Sequence, residues 1–335
     1  MPDANMKRMR QFLIALLLGW TAACIAAYFY SHQQNIPPAL VAALLPAFLI
    51  ELALYAAPGF QGMRRHFERL GSKSTRAGLL TAGAAIPYAL VAISLHNFHF
   101  PSLLLLVALA LVPSFWYAVI KRGPAADLAF LVFMAGILLS KVFTWIYAPL
   151  SADTHLQLDV LGHLMWIRVG IMAVLSIRGL ENIRFGFVPA PSDWRIGVKF
   201  FVVFLPVAGV LAYAVNYPHF HVSTVVWWQY AARIVFTFLG MLWVVALSEE
   251  FFFRGFLQQL VSRGLRSEIA GVVVASTLFG LAHLPFRSFP NWRLALLAAT
   301  LGAFCGIAFL RARSVRASMV THALVATTYR LFFSP

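Results

Sequence analysis

Leu247–Phe256 reads LSEEFFFRGF, two adjacent glutamates and an arginine set inside an otherwise apolar run. Charges in such a run are costly wherever water is excluded, so three of them within six residues need a reason. Glu250 and Arg254 are four apart, which puts them on one helix face where they can pair. Glu249 points about 100° away from that face. One helix therefore presents a free carboxylate beside a second one neutralised by its own arginine. Two neighbouring carboxylates oppose each other's ionisation, an arrangement that suits one acting as a base and the other tuning it.

The surroundings explain why these charges are conspicuous. Of 335 residues, 61% are hydrophobic and 11% charged, and mean hydropathy is +0.81. A soluble domain carries about 25% charged residues; this chain cannot cover itself with polar surface and belongs in a bilayer. Thirty Phe and nine Trp agree. Net charge is +15, yet the basic residues fall between apolar runs rather than on one soluble face. Nucleic acid is therefore excluded as a partner, and acidic lipid headgroups are favoured. Cys24 and Cys305 both lie in apolar runs and suggest neither a disulfide framework nor a zinc knuckle. The run from Phe12 to Tyr30 is long for a signal peptide and has no small-residue cleavage site, so it reads as a retained first span.

Apolar stretches long enough to cross a membrane predict an all-α, polytopic transmembrane bundle of about eleven spans, within a range of nine to eleven. They lie near 11–30, 38–57, 77–95, 101–120, 127–149, 160–178, 196–215, 226–260, 269–286, 294–311 and 315–334. Lys and Arg gather in alternate loops. Lys7, Arg8 and Arg10 precede the first span; SHQQN, HNFHF, SADTHLQLD and NYPHFHVST hold none. That alternation predicts a cytoplasmic N-terminus, and only the loop with Arg287 and Arg293 breaks it. The stretch RFGFVPAPSDWR, 184–195, reads as a cytoplasmic linker between an accessory region of six spans, 1–190, and a second region, 195–335.

Other charges inside predicted spans are Glu51, Lys141, Arg168 and Arg233. Glu51 and Lys141 are expected to pair with each other or to sit near helix ends, and the two arginines to snorkel to the interface. Two histidines add to the glutamate helix. His283 lies in LFGLAHLPF, with Phe279 one turn before it, and His322 lies in SMVTHALVATTYR. Carboxylate and imidazole together are what water activation needs.

These residues carry a resemblance. Glu249, Glu250 and Arg254 match the EExxxR motif of the CAAX prenyl protease type II family, whose bacterial members are called CPBP proteins. Phe279 and His283 match its FxxxH motif, and His322 begins its third motif, HxxxN or HxxxD. All three come in the family's order, within about 235–330. Ala326 stands where the third motif has Asn or Asp, which leaves the donor role to His322 alone or to nearby Thr327 or Thr328. The resemblance implies a glutamic intramembrane endopeptidase. Glu249 would be the general base, His283 would help hold the water, and His322 would donate to the oxyanion. Glu250 and Arg254 would order the site, and Phe253 and Phe279 would contact substrate.

No cofactor is expected. One Glu and two His would suit zinc, but there is no HExxH and no helix carries two ligands at i and i+4. The implied partner is a membrane-anchored, lipidated or C-terminally anchored protein in a bacterial inner membrane. Some CPBP proteins resemble partners of exosortase-type systems that trim such anchors. A non-proteolytic scaffold or immunity protein of the same fold is the alternative, and a transporter a weaker one. Counted from Arg263 and Glu268, Glu249 and His283 both fall ~21 Å from the inner face; His322, counted from Arg316, falls at only ~9 Å.

Overall fold

The computed structural model describes residues 2–151, 156–181, 183–217, 219–220 and 226–334, without the side chains of 2–8, 219 and 334. The loops expected at 151–159 and 216–224 lie partly outside the described residues, as do the side chains of Lys7 and Arg8. The chain divides into two compact units, Met1–Glu181 and Asn182–Pro335.

The first unit contains α1 (Pro2–Gln33), α2 (Pro38–Ala56), α3 (Gln61–Glu68), α4 (Lys73–Ser94), α5 (Phe100–Val119), α6 (Pro124–Leu139), α7 (Val142–Ser151) and α8 (Asp159–Met172), which runs on as a π-helix through Arg178. Pro38 and Pro124 open their helices at positions where the missing N–H has no helical partner to lose. Ser72 and His99 cap α4 and α5 by accepting from Thr75 N and Ser102 N. Among the spans, α8 is the central one, with 83% of its apolar window buried against 6–44% elsewhere. Its Trp166 indole donates to Met134 O at 3.0 Å.

Arg168 on α8 does not snorkel. It is buried, and its Nε and Nη2 grip Glu51 at 2.7 and 3.3 Å, while Nη2 also donates to Gly83 O at 2.8 Å. The expected partner of Glu51, Lys141, is instead exposed at the break between α6 and α7, with φ +57°. The geometric reason is that Glu51 and Arg168 face each other across packed α2 and α8.

The second unit contains α9 (Pro191–Ala214), α10 (Trp227–Gly240), a π-helix (Met241–Ala246), α11 (Leu247–Glu250), a second π-helix (Phe251–Gln258), α12 (Gln259–Gly264), α13 (Glu268–Leu281), α14 (Trp292–Ala312) and α15 (Val315–Phe332). One short strand pair, β1 (His219–Phe220) and β2 (Phe333–Ser334), is antiparallel. The segment expected as a linker is strapped onto this unit: Ile183 O accepts from Val315 N at 3.0 Å, and Phe187 O from the Trp243 indole at 3.0 Å. Asp193, in the first turn of α9, accepts from Ala190 N and pairs with Arg316 at 3.0 Å. Arg233 is exposed on α10.

Among the described residues, nine helices are long and apolar enough to span a membrane, the lower end of the expected range. The two expected spans that fall short are those near 269–286 and 315–334. Helix α13 has only 14 residues. Helix α15 is dotted with Arg316, Ser318, Thr321, His322, Thr327, Thr328 and Arg330. His322 lies on α15, and His283 just past the end of α13.

Candidate active site

Trp227–Gly264 forms one helical rod of 38 residues, and the two π-helices bracket Leu247–Glu250 within it. A π-turn widens the helix by a residue and is frequent at functional sites. Across the second of these, Arg254 Nη1 comes 3.1 Å from Glu250 Oε1, with both side chains fully buried. Arg254 Nη2 donates to Gly302 O at 3.1 Å. One turn on, Gln258 Nε2 donates to Gly306 O at 3.2 Å. The glutamate helix is thus pinned to α14 by two rungs.

His322 reaches both glutamates. Its Nδ1 lies 2.7 Å from Glu250 Oε1 and its Nε2 3.7 Å from Glu249 Oε2. Exposure separates the two carboxylates: the Glu249 side chain is 32% exposed and that of Glu250 is 0%. Glu249 Oε2, Glu250 Oε2, Arg254 Nε and Arg254 Nη1 make no hydrogen bond within the described protein. Hydrogen-bonding capacity therefore remains where the three elements meet.

The ~9 Å level expected for His322 is corrected here. Helix α15 begins inside the unit, packed against the glutamate rod. Val315 is fully buried, and a Cβ on Gly255 would stand 3.0 Å from Val315 Cγ2. The helix therefore starts beside Gly255, eight residues inward of Arg263 along the rod. Seven residues from Val315 to His322 and six from Gly255 back to Glu249 cover about the same rise, which brings the side chains level.

His283 lies in the turn just past α13 rather than within a helix. Its Nδ1 is 2.8 Å from Phe279 O, and among the described residues no ion pair or hydrogen bond joins it to either glutamate. Phe279 links it to the rest. That ring lies 4.7 Å from His283, 5.5 Å from His322 and 5.0 Å from Phe253, centre to centre. The Arg254 guanidinium sits 4.5 Å from the Phe279 ring centre, so Phe279, being buried, forms a wall of the site. Phe253 packs edge-on against it.

Ala326 lies one turn beyond His322 on nearly the same face. Thr327 and Thr328 do not replace the missing donor. Both line a separate apolar cavity of about 310 Å³ with Trp194, Phe238 and Leu331, and the Thr328 hydroxyl donates to Leu324 O at 2.8 Å. They fall about 140° and 240° around α15 from His322.

Sequence reasoning missed Gly302, Gly306 and Gln258. The signal was present: Gly302–Gly306 reads GAFCG, a small-residue spacing that lets membrane helices approach closely. A Cβ on Gly302 would meet Ser276 Cα at 3.0 Å and Arg254 Nη2 at 3.2 Å. Gln258, a polar residue eight past Glu250, continues the same helix face.

Residues 231–328 match the family described as type II CAAX prenyl endopeptidase Rce1-like. No curated protein and no solved structure matches the chain. The matched segment holds Glu249, Glu250, Arg254, His283 and His322, and over this segment of its second unit the chain is similar to the type II CAAX prenyl endopeptidase family.

Proposed function

We propose that the chain is an intramembrane endopeptidase that uses a glutamate-activated water. The observation that carries this reading is the meeting of Glu249, Glu250, Arg254 and His322 in one buried cluster with a single partly exposed carboxylate. Glu249, the exposed member, takes a proton from water as the water oxygen adds to the scissile carbonyl carbon. His322, held through Nδ1 by Glu250, presents Nε2 to the developing oxyanion. As the tetrahedral intermediate collapses, the C–N bond breaks and Glu249 returns its proton to the leaving amine. Arg254 pairs with Glu250 and fixes its carboxylate. Phe279 orients His283 at the rim, where that imidazole helps hold the water, and Phe253 and Phe279 contact the substrate.

The donor set argues for water rather than zinc as the activated species. A divalent cation at Glu250 would sit against the Arg254 guanidinium, 3.1 Å from that carboxylate. The substrate class is a membrane-anchored, lipidated or C-terminally anchored protein, cut toward the outer half of a bacterial inner membrane, with the chain's N-terminus cytoplasmic. Ala326 favours a second reading, a non-proteolytic scaffold on the same fold, because it removes one oxyanion donor.

Mass spectrometry of new protein termini in cells carrying wild type or Glu249→Gln tests this. Termini that vanish in the variant support the protease and name its substrates. Identical termini, with both proteins expressed and folded, favour the scaffold.

A further inference from the structure

Behind the glutamate cluster runs a polar row that the proposed chemistry does not use beyond Arg254. Arg254, Gln258 and Ser262 follow Glu250 at four-residue spacing and share one face of the rod. The row covers about 18 Å and ends beside the exposed Arg263. Four atoms along it are buried and make no hydrogen bond within the described protein: Arg254 Nε, Gln258 Oε1, Ser262 Oγ and, from α13, Ser276 Oγ. Arg254, Gln258 and Ser276 are only 0, 1 and 5% exposed. Each of these side chains faces a glycine on a neighbouring helix. A Cβ on Gly302 would stand 3.1 Å from Ser276 Cβ and 3.2 Å from Arg254 Nη2. One on Gly306 would stand 2.9 Å from Gln258 Oε1, and one on Gly271 of α13 1.9 Å from Ser262 Oγ. The seam among the rod, α13 and α14 is therefore polar-lined at the places where a Cβ would have closed it.

The two rungs to Gly302 O and Gly306 O use one nitrogen of Arg254 and one of Gln258. Helix packing alone accounts for these rungs, and the remaining polar atoms are left over. Buried polar atoms are almost always hydrogen-bonded, and where protein supplies no partner, bound water does. Rungs about 6 Å apart suit it, because one water bonded on both sides spans about 5.5 Å. The cluster's other approach is the exposed side of Glu249, which a bound substrate covers. Each peptide bond cut consumes one water: its oxygen ends on the new carboxylate and one of its protons on the new amine. Resting on the protease reading, we propose that the seam binds a row of water molecules from Ser262 to Arg254 and supplies through it the water that each turnover consumes.

The test uses the full chain carrying Cys24→Ser and Cys305→Ala in phosphatidylcholine vesicles. Gln258→Cys, Ser262→Cys and Ser276→Cys are added singly, with Val273→Cys on the exposed apolar face of α13 as the comparison. Silver ions serve as the probe, because a thiol must be hydrated to ionise and react. The seam thiols are expected to react about tenfold faster than Val273→Cys. Turnover on a substrate named by the Glu249→Gln comparison is expected to fall about tenfold in Gln258→Leu, with KM and unfolding temperature unchanged. Ser262→Ala, which adds no bulk, should lower turnover in the same direction. Seam thiols no more reactive than Val273→Cys mean a dry seam and overturn the proposal while leaving the protease standing. Reactive thiols with full turnover in both Gln258→Leu and Ser262→Ala make the water structural and overturn the supply role. Turnover that falls only in step with unfolding temperature does the same. Reactive thiols in a wild type that cleaves nothing overturn the protease reading and the supply role together, and the water row alone survives.

Discussion

Among the described residues two glutamate–arginine pairs are buried, and they differ in what they leave unused. In Glu51–Arg168 both carboxylate oxygens meet the guanidinium, and Gly83 O takes a further N–H. In Glu250–Arg254 one oxygen is shared between Arg254 and His322, while Glu250 Oε2, Arg254 Nε and Arg254 Nη1 stay without hydrogen bonds inside the described protein. The first pair is closed upon itself and joins two helices. The second is open, touches a titratable ring and adjoins a partly exposed carboxylate. Burial and ion pairing are common to both, so neither identifies a site; residual hydrogen-bonding capacity beside an imidazole separates them.

The largest expected effect comes from breaking the closed pair. Glu51→Ala strands the buried Arg168 charge and should destabilise the first unit by about 3–5 kcal/mol, whereas Glu51→Gln with Arg168→Met should recover most of that. Thermal unfolding in detergent reads both. The equivalent double change, Glu250→Gln with Arg254→Met, should leave a folded protein that is inactive. Recovery of activity there would make the two pairs equivalent and remove the distinction.

Glu249→Gln acts in the opposite sense. The side chain is partly solvated, so the unfolding temperature should stay near that of wild type while turnover falls about 10²–10⁴-fold, the usual worth of a general base. A variant that unfolds early would show instead that Glu249 is a structural member of the cluster. A smaller effect is expected at Gly302→Ala. Its Cβ would press on Ser276 Cα and Arg254 Nη2, costing about 1–3 kcal/mol of stability. Because the guanidinium is displaced, activity should drop more than stability alone predicts, measured as turnover at a temperature where the variant is fully folded.

The legible parts of the sequence were those governed by local geometry. Glu250 and Arg254 are four residues apart, and helix periodicity alone places them together. Glu51 and Arg168 are 117 residues apart, and no periodicity links α2 to α8, so their pairing was not legible, whereas Lys141 does sit at a helix end, as one of the two expectations had it. His322 was legible as a chemical group but not by level. The depth count took Arg316 as the membrane edge, while Arg316 is turned inward to Asp193 and Val188 O and α15 starts buried. His283 was assigned to a helix because its surroundings are apolar, although α13 ends two residues before it. The units divide at Glu181 and Asn182, whereas the Pro-rich stretch suggested a boundary nearer 190. Backbone contacts from Ile183 and Phe187 to the second unit decide this, and composition does not record them.

Ala326→Asn sharpens the contrast by adding to the open site rather than subtracting from it. Ala326 is partly buried and one turn beyond His322, so an amide there extends along the face that already presents the imidazole. An oxyanion-hole donor is worth about 10²–10³ in turnover where the site is built around it. In the proposed mechanism His322 already supplies one donor, so the gain should be nearer tenfold, with stability little changed. A gain of that size would show that the cluster is a working site running with one donor fewer than the family pattern. Unchanged turnover with an intact fold would mean that the oxyanion forms elsewhere, and the position of His322 between the two glutamates would then have to serve proton transfer instead.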